Sequence, residues 1–133
     1  MSGFYYKVAA RIMMAIMAYA TEEIAKVDSD FQNLIKNENL IVQWEVDKGG
    51  PTSYFEIKNG KFNAIRDQKH TNPDITILIK DGKTAIKVLR GSPEILQEEV
   101  DKGNVTVTGD ENKIEQLRPI LEIIRIYLKD LRE

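Results

Sequence analysis

The residues that could do chemistry are few, and their spacing does not assemble a catalytic set. His70 is the only histidine and lies in a polar loop, where a solvated side chain is more typical than a general base or a metal ligand. Glu22 and Glu23, like Glu98 and Glu99, are neighbours on predicted helices, and adjacent helical residues do not face each other as an acid–base pair does. The chain has no cysteine, which excludes thiolate metal sites and cysteine nucleophiles. We therefore expect a protein that is not an enzyme and carries no metal or organic cofactor.

One short segment copies part of a nucleotide-binding motif. Gly82-Lys83-Thr84 has the last three residues of a phosphate-binding loop, and that motif also needs a glycine five positions earlier. The earlier position is Ile77, inside an apolar run that is typical of a strand. We therefore interpret the three residues as the start of a helix and not as a phosphate site.

The composition is that of one globular domain without a nucleic-acid partner. A chain of 133 residues buries roughly 68% of its unfolded surface when it folds as one unit. Its 19 basic and 21 acidic residues give a net charge of −2 and form no cluster of either sign, which excludes the basic patch of a nucleic-acid-binding protein. We expect a single domain over residues 1–133.

The N-terminal segment predicts a helix that is apolar over most of its circumference. Helix-forming residues run from Phe4 to Ala25 without glycine or proline. Its polar side chains form one narrow stripe, so the remaining surface must be buried. We expect burial within this protein; a homodimer contact and a transient membrane contact are the alternatives. A second short helix, Phe31 to Lys36, follows Asp28 and completes a helical unit over residues 1–37.

Five segments between residues 40 and 110 have the apolar face of a half-buried strand, with apolar residues at a period of two. They are Ile41–Val46, Tyr54–Lys58, Lys61–Arg66, Ile75–Ile79 and Val105–Thr108. Asn59-Gly60 is the sequence typical of a two-residue hairpin turn. One apolar face per strand predicts an α/β fold of the α+β type, in which helices cover one face of a five-stranded, mostly antiparallel or mixed sheet.

Two short helices are predicted between the last two strands. Asp81 can cap the first helix, Gly82 to Arg90, and Gly91 can end it. Ser92-Pro93 is a typical helix start, and Gly103 can end the second helix.

The last segment, residues 111–132, predicts a helix whose apolar face packs on the sheet. Its apolar residues recur in steps of three and four: Ile114, Leu117, Leu121, Ile124, Leu128 and Leu131. Pro119 falls inside this pattern and predicts either a kink or two separate helices.

Strands, helices and glycines follow one another in a characteristic order from about residue 40 to residue 124. The series is Tyr54-Phe55-Glu56-Ile57-Lys58-Asn59-Gly60, Pro73-Asp74-Ile75-Thr76-Ile77, Leu89-Arg90-Gly91 and Val105-Thr106-Val107-Thr108-Gly109-Asp110, followed by an apolar helix. This series resembles the sterol carrier protein 2 family. The resemblance implies an apolar tunnel between a five-stranded sheet and its helices. Members bind sterols, fatty acids, acyl-coenzyme A esters or other lipids, and some are accessory domains beside enzymes.

Two features depart from that family. Its eukaryotic members typically end in a peroxisomal signal with a final leucine, whereas this chain ends Asp130-Leu131-Arg132-Glu133, so we expect a cytoplasmic protein. The methionine-rich helix before Val27 is also longer and more apolar than the family leads us to expect. Methionine is flexible enough to close a tunnel, form a dimer contact or touch a membrane.

The resemblance implies that inward-facing apolar residues line the tunnel. From the sheet we expect Trp44, Phe55, Phe62, Ile77 and Val107, and from the helices opposite them Leu89, Leu96, Val100, Leu117, Leu121 and Ile124. Burying a chain of about sixteen methylenes at ~0.8 kcal/mol each gives on the order of 12 kcal/mol before association costs, so no polar anchor is needed.

The predicted function is non-catalytic binding or transfer of a hydrophobic small molecule: a fatty acid, acyl ester, sterol or isoprenoid. The alternative is a protein-interaction or scaffold module of an enzyme complex, which docks through the N-terminal helix and holds no lipid.

Overall fold

The described residues form five helices and five strands. In the computed structural model, the backbone is described for residues 3–90 and 93–132 and the side chains for residues 4–90 and 94–129. The helices are α1 (Gly3–Val27), α2 (Ser29–Ile35), α3 (Gly82–Arg90), α4 (Pro93–Asp101) and α5 (Glu111–Arg132). The strands are β1 (Leu40–Val46), β2 (Thr52–Lys58), β3 (Lys61–Arg66), β4 (Ile75–Ile79) and β5 (Val105–Gly109).

The strands form one sheet in the order β3-β2-β1-β4-β5. β1 and β4 are parallel, and the other three neighbouring pairs are antiparallel. Parallel neighbours need a long connection, and here the β2–β3 hairpin and a following loop supply it. The prediction of a mostly antiparallel, mixed sheet is confirmed.

The β2–β3 connection is the tight hairpin that the sequence predicts. Asn59 and Gly60 have φ angles of 52° and 79°, which is the left-handed pair that a two-residue type I′ turn requires. Lys58 is paired with Lys61 directly across the turn. This turn sets the register of the edge strand.

One face of the sheet carries the hydrophobic core. Its buried side chains alternate along the strands: Leu40, Val42, Trp44 and Val46 from β1, Phe55 and Ile57 from β2, Ile75, Ile77 and Ile79 from β4, and Val105 from β5. Helices α2 and α5 complete this core with Phe31, Ile35, Leu117, Ile120 and Ile124. The helices therefore cover one face of the sheet, as predicted.

The other face is partly covered by the loop that joins β3 to β4. The backbone N–H of His70 donates to Oε1 of Gln43 at 2.7 Å, and Gln43 is only 4% exposed. The imidazole of His70 also packs edge to face on Tyr54, with ring centroids 5.2 Å apart. His70 is therefore a loop residue, as expected, but its side chain is half-buried rather than fully solvated. The chain must cross from the edge strand to the far side of β1, and this crossing brings the loop over the sheet.

The ends of α3 and α4 follow the predicted capping residues where they are described. Asp81 accepts a hydrogen bond from the backbone N–H of Thr84 at 2.9 Å, and Gly103 follows α4 with a φ of 81°. The predicted roles of Gly91 and Ser92 lie outside the described residues.

Helix α1 packs on α3 and on the edge strand β3. A Cβ atom on Gly82 would lie 2.7 Å from the carbonyl carbon and oxygen of Tyr6, so the start of α3 touches the α1 backbone. One side of α1 is buried through Ala10, Met14, Thr21 and Ile24. The opposite side leaves Tyr5, Val8, Ile12, Ile16 and Tyr19 between 41% and 60% exposed. The expectation that this protein buries the whole apolar surface is wrong, because the sheet and α3 cover only one side of the helix.

Helix α5 is one continuous helix with Pro119 inside it. Of the two alternatives at this proline, the division into two helices is therefore not observed, and the kink stays a prediction. Pro119 is exposed, so water can hydrate the carbonyl group that loses its hydrogen-bond donor. The buried face of α5 lies on the sheet, where it borders the space described next.

Candidate functional site

A cavity of about 300 Å³ lies between strands β4 and β5 and helices α4 and α5. Its apolar lining consists of Ile77, Leu96, Val100, Val107, Ile114, Leu117 and Leu121. Its polar lining residues, Gln97, Glu111, Glu115 and Arg118, are exposed and form the rim. This volume is at the lower end of the range typical of small-molecule sites.

Strand and helix periodicity explains why these side chains meet. Ile77 and Val107 are direct partners across the β4–β5 pair, so both point to the same face. Leu96 and Val100 are one helical turn apart on α4, as are Leu117 and Leu121 on α5. The cavity is thus bounded by one strand pair and one stripe from each helix.

A second, smaller space of about 20 Å³ lies beneath α1. Helix α1 contributes Met14, Met17, Ala18 and Thr21, the sheet contributes Trp44, Ser53, Tyr54, Phe55, Phe62, Ala64 and Ile65, and α5 contributes Leu121 and Ile124. None of these lining residues carries a charge. Leu121 lines both spaces, so its side chain stands between them.

The structure brings together all the predicted tunnel residues except Leu89. The larger cavity contains Ile77, Leu96, Val100, Val107, Leu117 and Leu121, and the smaller one contains Trp44, Phe55, Phe62, Leu121 and Ile124. Leu89 is half-buried against the core and contributes to the lining of neither space. That these residues hold a lipid stays a prediction.

The sequence left closure of the tunnel by α1 open as one alternative, but no residue of α1 was among the predicted lining residues. Met14, Met17 and Thr21 border the smaller space, and the methionine content of this helix was the available signal, since methionine often fills irregular gaps. Ile114 of α5 was also omitted from the expected lining, although it belongs to the same apolar stripe as Leu117.

A buried carboxylate holds α4 in place beside the larger cavity. Glu99 is 2% exposed, and its Oε1 accepts a hydrogen bond from Nδ2 of Asn104 at 3.0 Å. Nζ of Lys102 and Nζ of Lys87 lie 3.4 and 3.8 Å from Oε2. The hydrogen bond from Asn104, together with these two cations, lowers the pKa of Glu99 despite its burial. Lys87 belongs to α3, so Glu99 ties the helix carrying Leu96 to its neighbour.

The charges at the rim form an exposed pair. Nε of Arg118 lies 3.0 Å from Oε1 of Glu115, and both side chains are about two-thirds exposed. Such surface pairs contribute little to stability.

Within the part of the chain that the structure describes, no three His, Asp or Glu side chains are grouped to hold a metal ion. No helix in the same residues is long and apolar enough to cross a membrane.

The family model of the alkyl sulfatase C-terminal domain matches residues 26–125. This chain belongs to that family. The alkyl sulfatase C-terminal family is similar to sterol carrier protein 2, and the matched segment contains the whole sheet and the larger cavity. It begins at the end of α1, so the family match does not include most of that helix. No curated protein sequence matches this chain.

Solved structures show the same fold at low sequence identity. The ubiquinone synthesis protein UbiJ-SCP2 superposes with a TM-score of 0.61 at 11% identity, over 84% of this chain and 90% of that chain. Sterol carrier protein domain 2 of Helicoverpa armigera gives 0.60 at 15% identity, over 84% and 86%. A double mutant of the sec-alkyl sulfatase PisA1 gives 0.52 at 13% identity, but the match covers 66% of this chain and only 14% of that enzyme. The chain therefore has a sterol carrier protein 2-like fold, as its sequence predicts.

Proposed function

We propose that this protein binds a lipid in the cavity beneath α4 and α5 and catalyses no reaction on it. The observation that carries the proposal is an apolar space of about 300 Å³ inside a domain of 133 residues. Close-packed interiors contain few voids larger than a water molecule, so an unfilled volume of this size favours a binding site over a packed core. The sterol carriers among the proteins of similar fold support a lipid as the ligand.

The candidate ligands are a fatty acid, an acyl ester, a sterol and an isoprenoid. The larger cavity has an apolar interior and a polar rim, which matches a molecule with a long apolar part and a small polar group. The polar lining residues stay in water, and Arg118 is paired with Glu115. They therefore do not enclose a reacting group as the side chains of a catalytic site do.

Native mass spectrometry of gently purified protein tests the proposal directly, and we expect a retained lipid. After delipidation, the protein should bind a fluorescent fatty acid or sterol, and Leu96→Gln should weaken this binding because it puts an amide into the cavity wall. Leu78→Gln is the matched control, since Leu78 is 38% exposed on the outer face of the sheet. Failure of the delipidated wild type to bind fatty acid, sterol and isoprenoid probes would contradict the proposal.

A second candidate function, association through α1, is favoured by the spacing of its exposed side chains. Tyr5, Val8, Ile12, Ile16 and Tyr19 follow one another in steps of three, four, four and three. This order reads the same in both directions. An antiparallel second copy of α1 would therefore pair Tyr5 with Tyr19, Val8 with Ile16 and Ile12 with itself, as a two-fold interface requires.

The composition and charge of this stripe favour a second copy over a membrane surface. With Phe4, the stripe contains three aromatic side chains that are each more than half-exposed, and aromatic residues are enriched in protein–protein interfaces. Arg11 is paired with Asp67 and Lys26 with Glu23, each at 2.7 Å. Among the described residues of α1, Lys7 is then the one basic residue without an ion pair, and a single cation is not the Lys- and Arg-rich face that binds anionic lipid.

Sedimentation measurements test this association, and we expect a dimer. Ile12→Lys places two like charges at the two-fold axis and should give a monomer. Val27→Lys is the matched control, because Val27 is 80% exposed but lies beyond the pairing. A wild-type protein that stays monomeric at high micromolar concentration, or that sediments with anionic vesicles, would show that the stripe does not pair with a second copy.

A further inference from the structure

Trp44 carries a buried hydrogen-bond donor that has no acceptor among the described residues. The side chain is 4% exposed, and within residues 4–90 and 94–129 its Nε1 makes no hydrogen bond. Buried indole N–H groups normally find an acceptor, and an unpaired one is destabilising. The acceptor for this group must therefore be supplied by something other than these residues.

The surroundings of Trp44 limit what can supply it. The adjoining space of about 20 Å³ is large enough for about one water molecule or for one small oxygen-bearing group. The hydroxyl of Thr21, which also lines this space, donates to the carbonyl oxygen of Met17 at 2.7 Å, and its oxygen accepts no hydrogen bond from Nε1 of Trp44. No lining side chain is a cation, so a carboxylate buried here would have no counter-charge.

The two spaces are separated by Leu121, which lines both. Trp44 and Ile77 are also paired across β1 and β4, and Ile77 lines the larger cavity. Displacement of the Leu121 side chain would therefore bring one end of a chain in the larger cavity towards Trp44.

We infer that the lipid ligand is neutral and that one of its oxygen atoms accepts a hydrogen bond from Nε1 of Trp44. The inference rests on the proposed lipid-binding function and narrows its ligand class. A ketone, ester or alcohol oxygen satisfies the indole N–H without charge. A hydrocarbon leaves the donor unpaired. An ionised fatty acid either buries its carboxylate beside Trp44 without a cation, which is strongly unfavourable, or keeps the carboxylate at the exposed rim and leaves the donor unpaired as a hydrocarbon does. The site therefore selects neutral oxygenated lipids over both.

The chain contains one tryptophan, so nuclear magnetic resonance of labelled protein shows a single indole N–H signal. The probes are dodecane, 2-dodecanone, 1-dodecanol and dodecanoate, added to delipidated protein at pH 8. We expect 2-dodecanone and 1-dodecanol to move the indole signal downfield and to bind about five- to tenfold more tightly than dodecane. Dodecanoate should bind more weakly than 1-dodecanol and should leave the signal unmoved.

Two variants distinguish the contribution of the hydrogen bond to the binding affinity from the contribution of the shape of the space. Trp44→Phe removes the N–H donor that favours 2-dodecanone over dodecane. In this variant the affinity for 2-dodecanone should therefore fall to within about twofold of the affinity for dodecane. Phe62→Leu is the matched control, since Phe62 lines the same space but has no donor, and it should change both affinities by the same factor. The signal of the wild type remains decisive if Trp44→Phe does not fold.

Three results would overturn the inference. The first is binding of 2-dodecanone without movement of the indole signal, which would mean that the donor is satisfied by water only. The second is tighter binding of dodecanoate than of 1-dodecanol. The third is the absence of binding by all four probes and by a fluorescent fatty acid, which would refute lipid binding itself. The first two results contradict only the hydrogen bond to Trp44 and leave lipid binding intact. The third contradicts the proposed function itself, so the experiment distinguishes failure of the inference from failure of the proposed function.

Discussion

Leu121→Trp distinguishes a ligand cavity from a closed core. Leu121 is half-buried and borders both spaces, the larger of which has about 300 Å³. The larger indole can extend into this volume without displacing its neighbours. We therefore expect a loss of stability below about 1 kcal/mol, whereas enlarging a side chain in a packed core typically costs 1–3 kcal/mol.

The same change should weaken lipid binding, because the indole occupies volume that the ligand needs. If it displaces about three methylenes at ~0.8 kcal/mol each, the loss is about 2.4 kcal/mol, or roughly fifty-fold in affinity. Chemical denaturation gives the stability, and displacement of a fluorescent fatty acid from delipidated protein gives the affinity.

Ile120→Trp is the matched control, since Ile120 is the preceding residue of α5 and is 0% exposed. This variant should lose 1–3 kcal/mol or more. Equal destabilisation by the two substitutions, together with unchanged fatty-acid binding by Leu121→Trp, would refute the assignment of Leu121 to a ligand space.

Three further changes test the scaffold around the site. Gly60→Val should destabilise by about 1–2 kcal/mol in chemical denaturation, because Gly60 has a φ of 79° that a β-branched residue adopts only with strain; a change within error would contradict the importance of this turn. Gly82→Ala should cost about 1–3 kcal/mol, since its Cβ would lie 2.7 Å from the Tyr6 carbonyl, and an unchanged melting temperature would mean that α1 shifts freely. The pKa of Glu99 is lowered from 4.5, first by the hydrogen bond from Asn104, so its stabilising contribution is present above pH 4.5 and is lost as the pH falls through the lower, folded value. Glu99→Gln should therefore flatten the acid side of the stability profile, measured as melting temperature from pH 7 to pH 3, and an identical profile would exclude this role.

Residues that act locally predicted the elements and their ends. Asn59-Gly60 specifies a type I′ turn, and Asp28 and Asp81 accept backbone N–H groups within their own first helical turns. Such effects depend on φ angles and on groups a few residues apart, so no knowledge of the fold is needed to find them. The order of these local signals also carried the resemblance to sterol carrier protein 2, which the fold of the solved sterol carrier domains confirms.

The face of each side chain was likewise predictable, but its distance from the opposite layer was not. Alternate residues of a strand share a face, and this placed Trp44, Phe55 and Ile77 on the side where the helices pack. Leu89 also belongs to an amphipathic helix, yet it lines neither space, because the position of α3 depends on its packing against α1.

Tertiary structure alone decided where volume is left unfilled and which groups lack partners. The parallel pairing of β1 with β4 joins residues far apart in the sequence, and the contacts of Glu99 with Asn104 and Lys87 hold α4 at its position. The unpaired Nε1 of Trp44 and the exposed side of α1 likewise depend on what every other segment does. Periodicity fixes the direction of a side chain, whereas a cavity, an unsatisfied donor or an uncovered face arises from the sum of long-range contacts, which no local pattern contains.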